Sequence, residues 1–212
     1  MEFVHEKQTA PAVLSFLVTF LVVAVSYVGL WLAYPGQAVV NRYYWYMTRA
    51  AGFTAYELLA ITVLLGVSST SALWDRWKLR KLVTQMHQYL PVLMAAFLFL
   101  HLWGLHFDRS VPFTWLSLFV PLRAPYRQFA TGLGILSMYG VLILTLTSYV
   151  RRHIGSKVWR TIHLLSFPLF VVTTMHGLLA GTDAHTGWAF WLYGTPLALF
   201  AWLVALRVRK RT

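Results

Sequence analysis

Six stretches of this chain, at about 12–34, 50–69, 88–107, 129–150, 158–180 and 187–206, are apolar almost throughout. Runs of roughly twenty such residues match the ~30 Å hydrocarbon core of a bilayer when wound as helices. A helix satisfies its own backbone hydrogen bonds, which lipid cannot do for it. The fold class that follows is all-α, a polytopic membrane bundle of six transmembrane helices. Composition agrees: 58% of residues are hydrophobic and only 11% charged, with mean hydropathy +0.61. A soluble domain carries about a quarter charged residues. No stretch reads as a soluble domain, a linker or a low-complexity tail. The first run, from Pro11 to Ala33, is too long for a signal-peptide core, and the Met1–Ala10 leader carries both signs of charge. It is expected to be a retained helix.

The net charge of +12 suggests nucleic acid only if its placement is ignored. Arg76, Lys78, Arg80 and Lys81 follow the second run, and Arg151, Arg152, Lys157 and Arg160 follow the fourth. Arg207, Arg209, Lys210 and Arg211 follow the sixth. With Lys7 these make 13 of the 18 basic residues on one side, against Arg42, Arg49, Arg109, Arg123 and Arg127 on the other. The positive-inside rule then puts both termini in the cytoplasm of a cell (plasma or inner) membrane protein. The partner of this basic skin is anionic membrane lipid, with no nucleic acid. Tyr43, Tyr44, Trp45 and Tyr46 fall at the outer interface, and Trp74 and Trp77 at the inner one. The chain has no cysteine. That excludes disulfides, iron–sulfur clusters, thiolate haem ligation and c-type haem attachment.

Ionisable groups at membrane depth are costly and tend to mark ion, proton or electron pathways. His87 and His101 lie 14 residues apart in the third run, and His163 and His176 lie 13 apart in the fifth. Each pair spans roughly 20 Å of helix. Both runs leave a basic, cytoplasmic loop, so they run parallel. His87 then sits level with His163 near the inner face, and His101 level with His176 nearer the outer face. Two parallel helices so equipped can hold two haems, one imidazole on each side of each iron. Two stacked macrocycles divide a tunnelling distance that a single jump would cross very slowly. Rotation is less simple. Fourteen residues turn through about 1400°, within some 40° of four turns, so His87 and His101 share a face. Thirteen turn through about 1300°, which leaves His176 some 140° away from His163 on an ideal helix. The haem reading therefore requires an irregularity near Pro168. His106 is off the face of His101 and is expected at the outer mouth. His5, His153 and His185 fall in tails or loops.

These residues resemble the ferric reductase-like transmembrane domain family. That family includes the membrane halves of NADPH oxidases and ferric reductases and the haem-binding subunit of the periplasmic methionine sulfoxide reductase. The likeness rests on His87 and His101 within QMHQYLPVLMAAFLFLHLWGLH and on His163 and His176 within KVWRTIHLLSFPLFVVTTMHG. It covers roughly residues 45–206 of a single domain spanning 1–212. It implies two b-type haems on those four histidines. It also implies electron flow from a cytoplasmic donor, through the inner and then the outer haem, to an external acceptor. No G-x-G-x-x-G fingerprint and no flavin or nucleotide domain follows the sixth run. FAD or NADPH is thus expected only through a partner protein, a cytoplasmic flavin reductase, and a membrane quinol is the other candidate donor. The acceptor is expected to be periplasmic or extracellular: a metal chelate, oxygen or an oxidoreductase. Whether the chain is itself an enzyme depends on that acceptor.

The likeness also places an arginine beside the outer haem, and Arg49 stands there. Guanidinium can bind an anionic propionate with charge-assisted hydrogen bonds. Arg127 is a weaker candidate, and Arg80, Lys81 and Arg160 could serve the inner propionates. Glu57 lies inside the second run at about the depth of His101, and could accept an N–H from an axial histidine. Gly132, Gly134, Gly140 and Gly177 permit close approach of a helix or macrocycle. The competing reading is a haem-free, histidine-dependent proton or metal transporter. Residues 129–150 hold no Asp, Glu, His, Lys or Arg, which leaves no continuous polar track.

Overall fold

The computed structural model describes residues 36–69 and 73–209, with parts of an apolar helix before them (17, 20–21, 23–25, 27–29 and 31–33). His5, Lys7, Lys210, Arg211 and much of the first apolar run lie outside the described residues. Every regular element among the described residues is helical: α1 (Gln37–Ser69), α2 (Arg80–Phe107), α3 (Trp115–Phe119), α4 (Gln128–Tyr149), α5 (Arg151–Ile154), α6 (Ser156–Leu164), α7 (Ser166–Ala180) and α8 (Gly187–Arg209). Five spans are long and apolar enough to cross a membrane: Arg42–Ser69, Arg80–Phe107, Gln128–Tyr149, Ser156–Ala180 and Gly187–Arg209, with a shorter apolar helix at Val23–Ala33. This is a multi-pass membrane protein.

Two spans begin earlier than the apolar runs that announce them. α1 starts at Gln37 rather than near 50, and α2 at Arg80 rather than 88. Helix geometry does not stop where the hydrocarbon stops. The 33 residues of α1 extend roughly 50 Å, well beyond the ~30 Å core. Its first turns carry the aromatic cluster. Tyr43 and Tyr44 pack on Tyr27 at centroid distances of 5.3 and 5.5 Å, and Tyr44 stacks on Phe107 at 5.5 Å. Part of the expected outer aromatic belt is thus spent on helix–helix packing. His87 comes to lie on the third turn of α2.

The helices associate as two antiparallel pairs. α1 packs along α2, and α4 packs along α7 and the preceding α6; α8 touches both α1 and α7. The backbones of the two histidine-bearing helices, α2 and α6–α7, do not pack closely on one another among the described residues; they approach through side chains. The main core gathers on α1, where Tyr56, Leu59, Ala60 and Val63 meet Met94 of α2, Phe170 of α7, and Tyr193 and Phe200 of α8. A second core, Phe113, Leu118 and Ala124, folds the 108–127 segment over the outer end.

The fifth apolar run is broken in two. The irregularity falls at Leu165, three residues before Pro168. Pro168 has no N–H to offer the Leu164 carbonyl. The chain tightens instead, with Leu165 N–H bonded to Ile162 O at 3.0 Å, and then resumes with Leu169 N–H on Leu165 O at 3.0 Å. A bond of this span closes a turn of about three residues rather than 3.6. Such overwinding adds rotation in the sense that brings His176 round toward the face of His163.

Phe170 is fully buried, whereas Phe190 is 64% exposed. Phe170→Ala should lower stability in detergent by roughly 3 kcal/mol through the cavity it leaves. Phe190→Ala should leave the melting temperature near that of the parent. Thermal unfolding followed by circular dichroism checks both.

Candidate functional site

The four histidines stand at two levels. At the level expected on the inner side, the rings of His87 and His163 face one another with centroids 6.0 Å apart and planes at 78°. At the level expected on the outer side, His101 and His176 line one cavity of about 300 Å³. Among the described residues no three His, Asp or Glu side chains converge; the histidines meet in twos.

Three of the four share one construction. His101 Nδ1 lies 2.8 Å from the carbonyl of Thr48, and its ring presses on Gly52, where an added Cβ would stand 2.8 Å from Nδ1. His87 Nδ1 lies 2.8 Å from the Thr62 carbonyl and its ring presses on Gly66, again with 2.8 Å to a Cβ placed there. His176 Nδ1 lies 2.8 Å from the Ala130 carbonyl and presses on Gly134, with 2.5 Å to such a Cβ. In each case a helix of the same pair offers a carbonyl at one position and a glycine four residues later. The glycine lets the ring come close enough to reach a carbonyl whose other lone pair serves the helix. A carbonyl only accepts, so Nδ1 carries the proton and Nε2 keeps a free lone pair. The three rings are thereby fixed in tautomer and in aim.

His163 is built differently. Its Nδ1 is buried with no hydrogen-bond partner. Its ring stacks on Trp159, centroids 4.9 Å apart at 26°. Trp159 in turn lies under the Arg151 guanidinium at 4.1 Å and donates to Ser148 Oγ at 3.2 Å.

The sequence alone passes over Gly52 and Gly66. Their signal was there: Thr48–Gly52 and Thr62–Gly66 are two Thr-x-x-x-Gly strings 14 residues apart, the interval that separates His87 from His101. Of the glycines singled out, Gly134 backs His176, while Gly140 accommodates Leu169 and Gly177 faces Tyr193. Gly132 meets Leu122 at ordinary contact distance. Glu57 is not the Nδ1 partner of His101 or His176, because backbone carbonyls already hold both rings.

Arg49 lines the mouth of the outer cavity. Its guanidinium forms an ion pair with Asp183, donates to Thr182 Oγ1 at 2.5 Å and lies over the Trp45 ring at 4.0 Å. Arg127 instead donates to the Leu179 carbonyl at 2.6 Å, and Arg80 pairs with Asp75 at 3.3 Å. Inside the cavity, the hydroxyls of Thr48 and Ser137 are buried without partners. His106 lies off the cavity. It stacks on Trp115 at 4.0 Å, with Nδ1 3.0 Å from the Phe113 carbonyl, and so pins the outer segment. His153 and His185 are exposed.

A membrane bundle with histidines paired at two depths defines the class of protein. The family model for the ferric reductase like transmembrane component matches residues 51–174, more than half of the 212 residues. The chain belongs to this family, and membership suggests membrane electron transfer. The match takes in Gly52, Gly66, His87, His101, Gly134 and His163 and ends two residues short of His176. No curated protein and no solved structure is significantly similar to the chain.

The Arg49 contacts tie the 181–186 loop to α1. Arg49→Leu should raise amide hydrogen exchange across that loop and leave exchange in α4 unchanged, as measured by mass spectrometry.

Proposed function

We propose that this chain is a membrane cytochrome holding two b-type haems, the inner on His87 and His163 and the outer on His101 and His176. In this reading it carries electrons from a donor on the cytoplasmic side to an acceptor outside. The observation that carries the reading is the meeting of the four histidines as two pairs at two depths. The residues fit the group. Two imidazoles on one metal, each at about 2 Å, have ring centres roughly 6 Å apart, and the inner pair stands at 6.0 Å. The outer pair flanks a largely apolar cavity with two unpartnered hydroxyls. Haem supplies a one-electron iron couple at each level.

The chain's own residues do the positioning. The carbonyls of Thr48, Thr62 and Ala130 hold the Nδ1 protons and raise the donor strength of Nε2. Gly52, Gly66 and Gly134 make the room that this requires. Arg49 gives the outer cavity a cation at its rim. Its five N–H donors leave capacity for an anionic propionate beside Asp183 and Thr182. Basic segments around Arg76–Lys81 and Arg151–Arg160 mark the cytoplasmic face by the positive-inside rule, which places the termini there as well. The donor on this reading is a cytoplasmic flavin reductase, which would bring FAD or NADPH, or a membrane quinol. The acceptor is a metal chelate, oxygen or a periplasmic oxidoreductase.

Purified protein should contain two haems per chain by pyridine haemochromogen assay, with low-spin b-type bands on reduction. His101→Ala or His176→Ala should leave one haem, and His106→Ala should leave two. A colourless preparation would overturn the proposal. So would a haem count unmoved by any of the four substitutions.

The glycine sockets generate a separate expectation. Gly52→Val and Gly134→Val should each reduce outer-site occupancy, and Gly66→Val inner-site occupancy, because the side chain displaces the ring from its carbonyl. Haem per chain in each variant is the measurement.

A further inference from the structure

Three histidines have a carbonyl acceptor and a glycine opposite them; His163 has neither. The register of α4 against α6 and α7 explains why. Gly134 faces His176, Gly140 faces Leu169 and Ser148 meets Trp159, so His163 comes opposite residues 144–147, none of which is glycine. Two carbonyls at that turn already carry a side-chain donor. Ile143 O accepts from Thr147 Oγ1 at 2.7 Å, and Leu144 O accepts from both Thr147 and Ser148, at 3.2 and 2.7 Å. Each also serves the helix ladder. If His163 binds a metal through Nε2, the proton must sit on Nδ1, and there it is buried with no acceptor. An unmade bond of this kind opposes ligation, whereas the bonded Nδ1–H of the other three favours it.

The helix breaks at Leu165, two residues after His163, whereas α2 runs on through Pro91, four residues after His87. In place of a carbonyl acceptor, the His163 ring is held by its stack on Trp159.

Resting on the haem reading above, we infer that His163 is the labile ligand of the four. The inner haem iron is therefore a binding site for a small uncharged diatomic ligand. Binding there is an exchange without oxidation or reduction: the iron–nitrogen bond to His163 breaks, a bond from iron to the incoming ligand forms, and the imidazole retains its Nδ1 proton. His87, seated on Thr62 and Gly66, stays on the metal.

The test uses the full-length protein in detergent, reduced with dithionite and titrated with carbon monoxide, with the Soret band as readout. Haem per chain is measured first, and fewer than two would overturn the proposed function itself. With two present, one haem of the two should take up carbon monoxide with about tenfold or greater preference over the other, the ratio expected from one lost hydrogen bond. His163→Ala should retain both haems and still bind one carbon monoxide per chain. Two haems that both refuse carbon monoxide would sink this inference while leaving the proposed function standing. A second carbon monoxide in His163→Ala would also sink it, because the site in the parent protein would then be the outer one.

Discussion

The interaction on which this architecture depends is a hydrogen bond between an imidazole Nδ1–H and a helix carbonyl that already serves the backbone. It forms only where the ring can approach the helix axis, and a glycine four residues along provides the approach. The same device occurs at Thr48 and Gly52, at Thr62 and Gly66, and at Ala130 and Gly134. It does two jobs at once. It satisfies a polar group at a depth where water cannot, and it leaves Nε2 unprotonated and aimed away from the helix. Helix pairing and site construction are therefore one event: the close packing of α1 on α2 seats His87 and His101.

Much of this was legible in the amino-acid order, and the reasons differ by element. The spans follow from apolar runs that lipid forces into helices. The relative depth of each histidine follows from counting residues at fixed rise. The break between α6 and α7 could be anticipated from the misfit of thirteen residues to whole turns. Its position at Leu165 rather than Pro168 depended on which carbonyl the proline leaves bare. Helix starts were less legible, because aromatic and basic residues such as Tyr43 and Lys81 remain helical outside the hydrocarbon.

What the sequence hid were contacts between residues distant in the chain. Nothing local says that Gly66 meets His87, or that Arg49 meets Asp183 across the top of the bundle. The acceptor of an imidazole proton was sought among side chains, which made Glu57 the candidate. Backbone carbonyls supply it instead, and a main-chain group has no letter of its own to be read. His106 illustrates the same limit from the other side. Its place in the last turn of α2 was clear from its number, but its bond to the Phe113 carbonyl depends on how the 108–127 segment folds back.

The backbone separation of α2 from α6–α7 among the described residues has a consequence for how the molecule comes together. Each histidine helix is braced by its own neighbour, α1 or α4, and the two halves are linked chiefly through α8 and the flank of α1. On the two-haem reading, a haem seated between the histidine helices would act as a spacer that helps fix their separation. Occupancy and assembly are then thermodynamically linked: what binds the assembled form stabilises it by mass action. On that reading, the supply of haem during biosynthesis would help determine how much chain survives in the membrane.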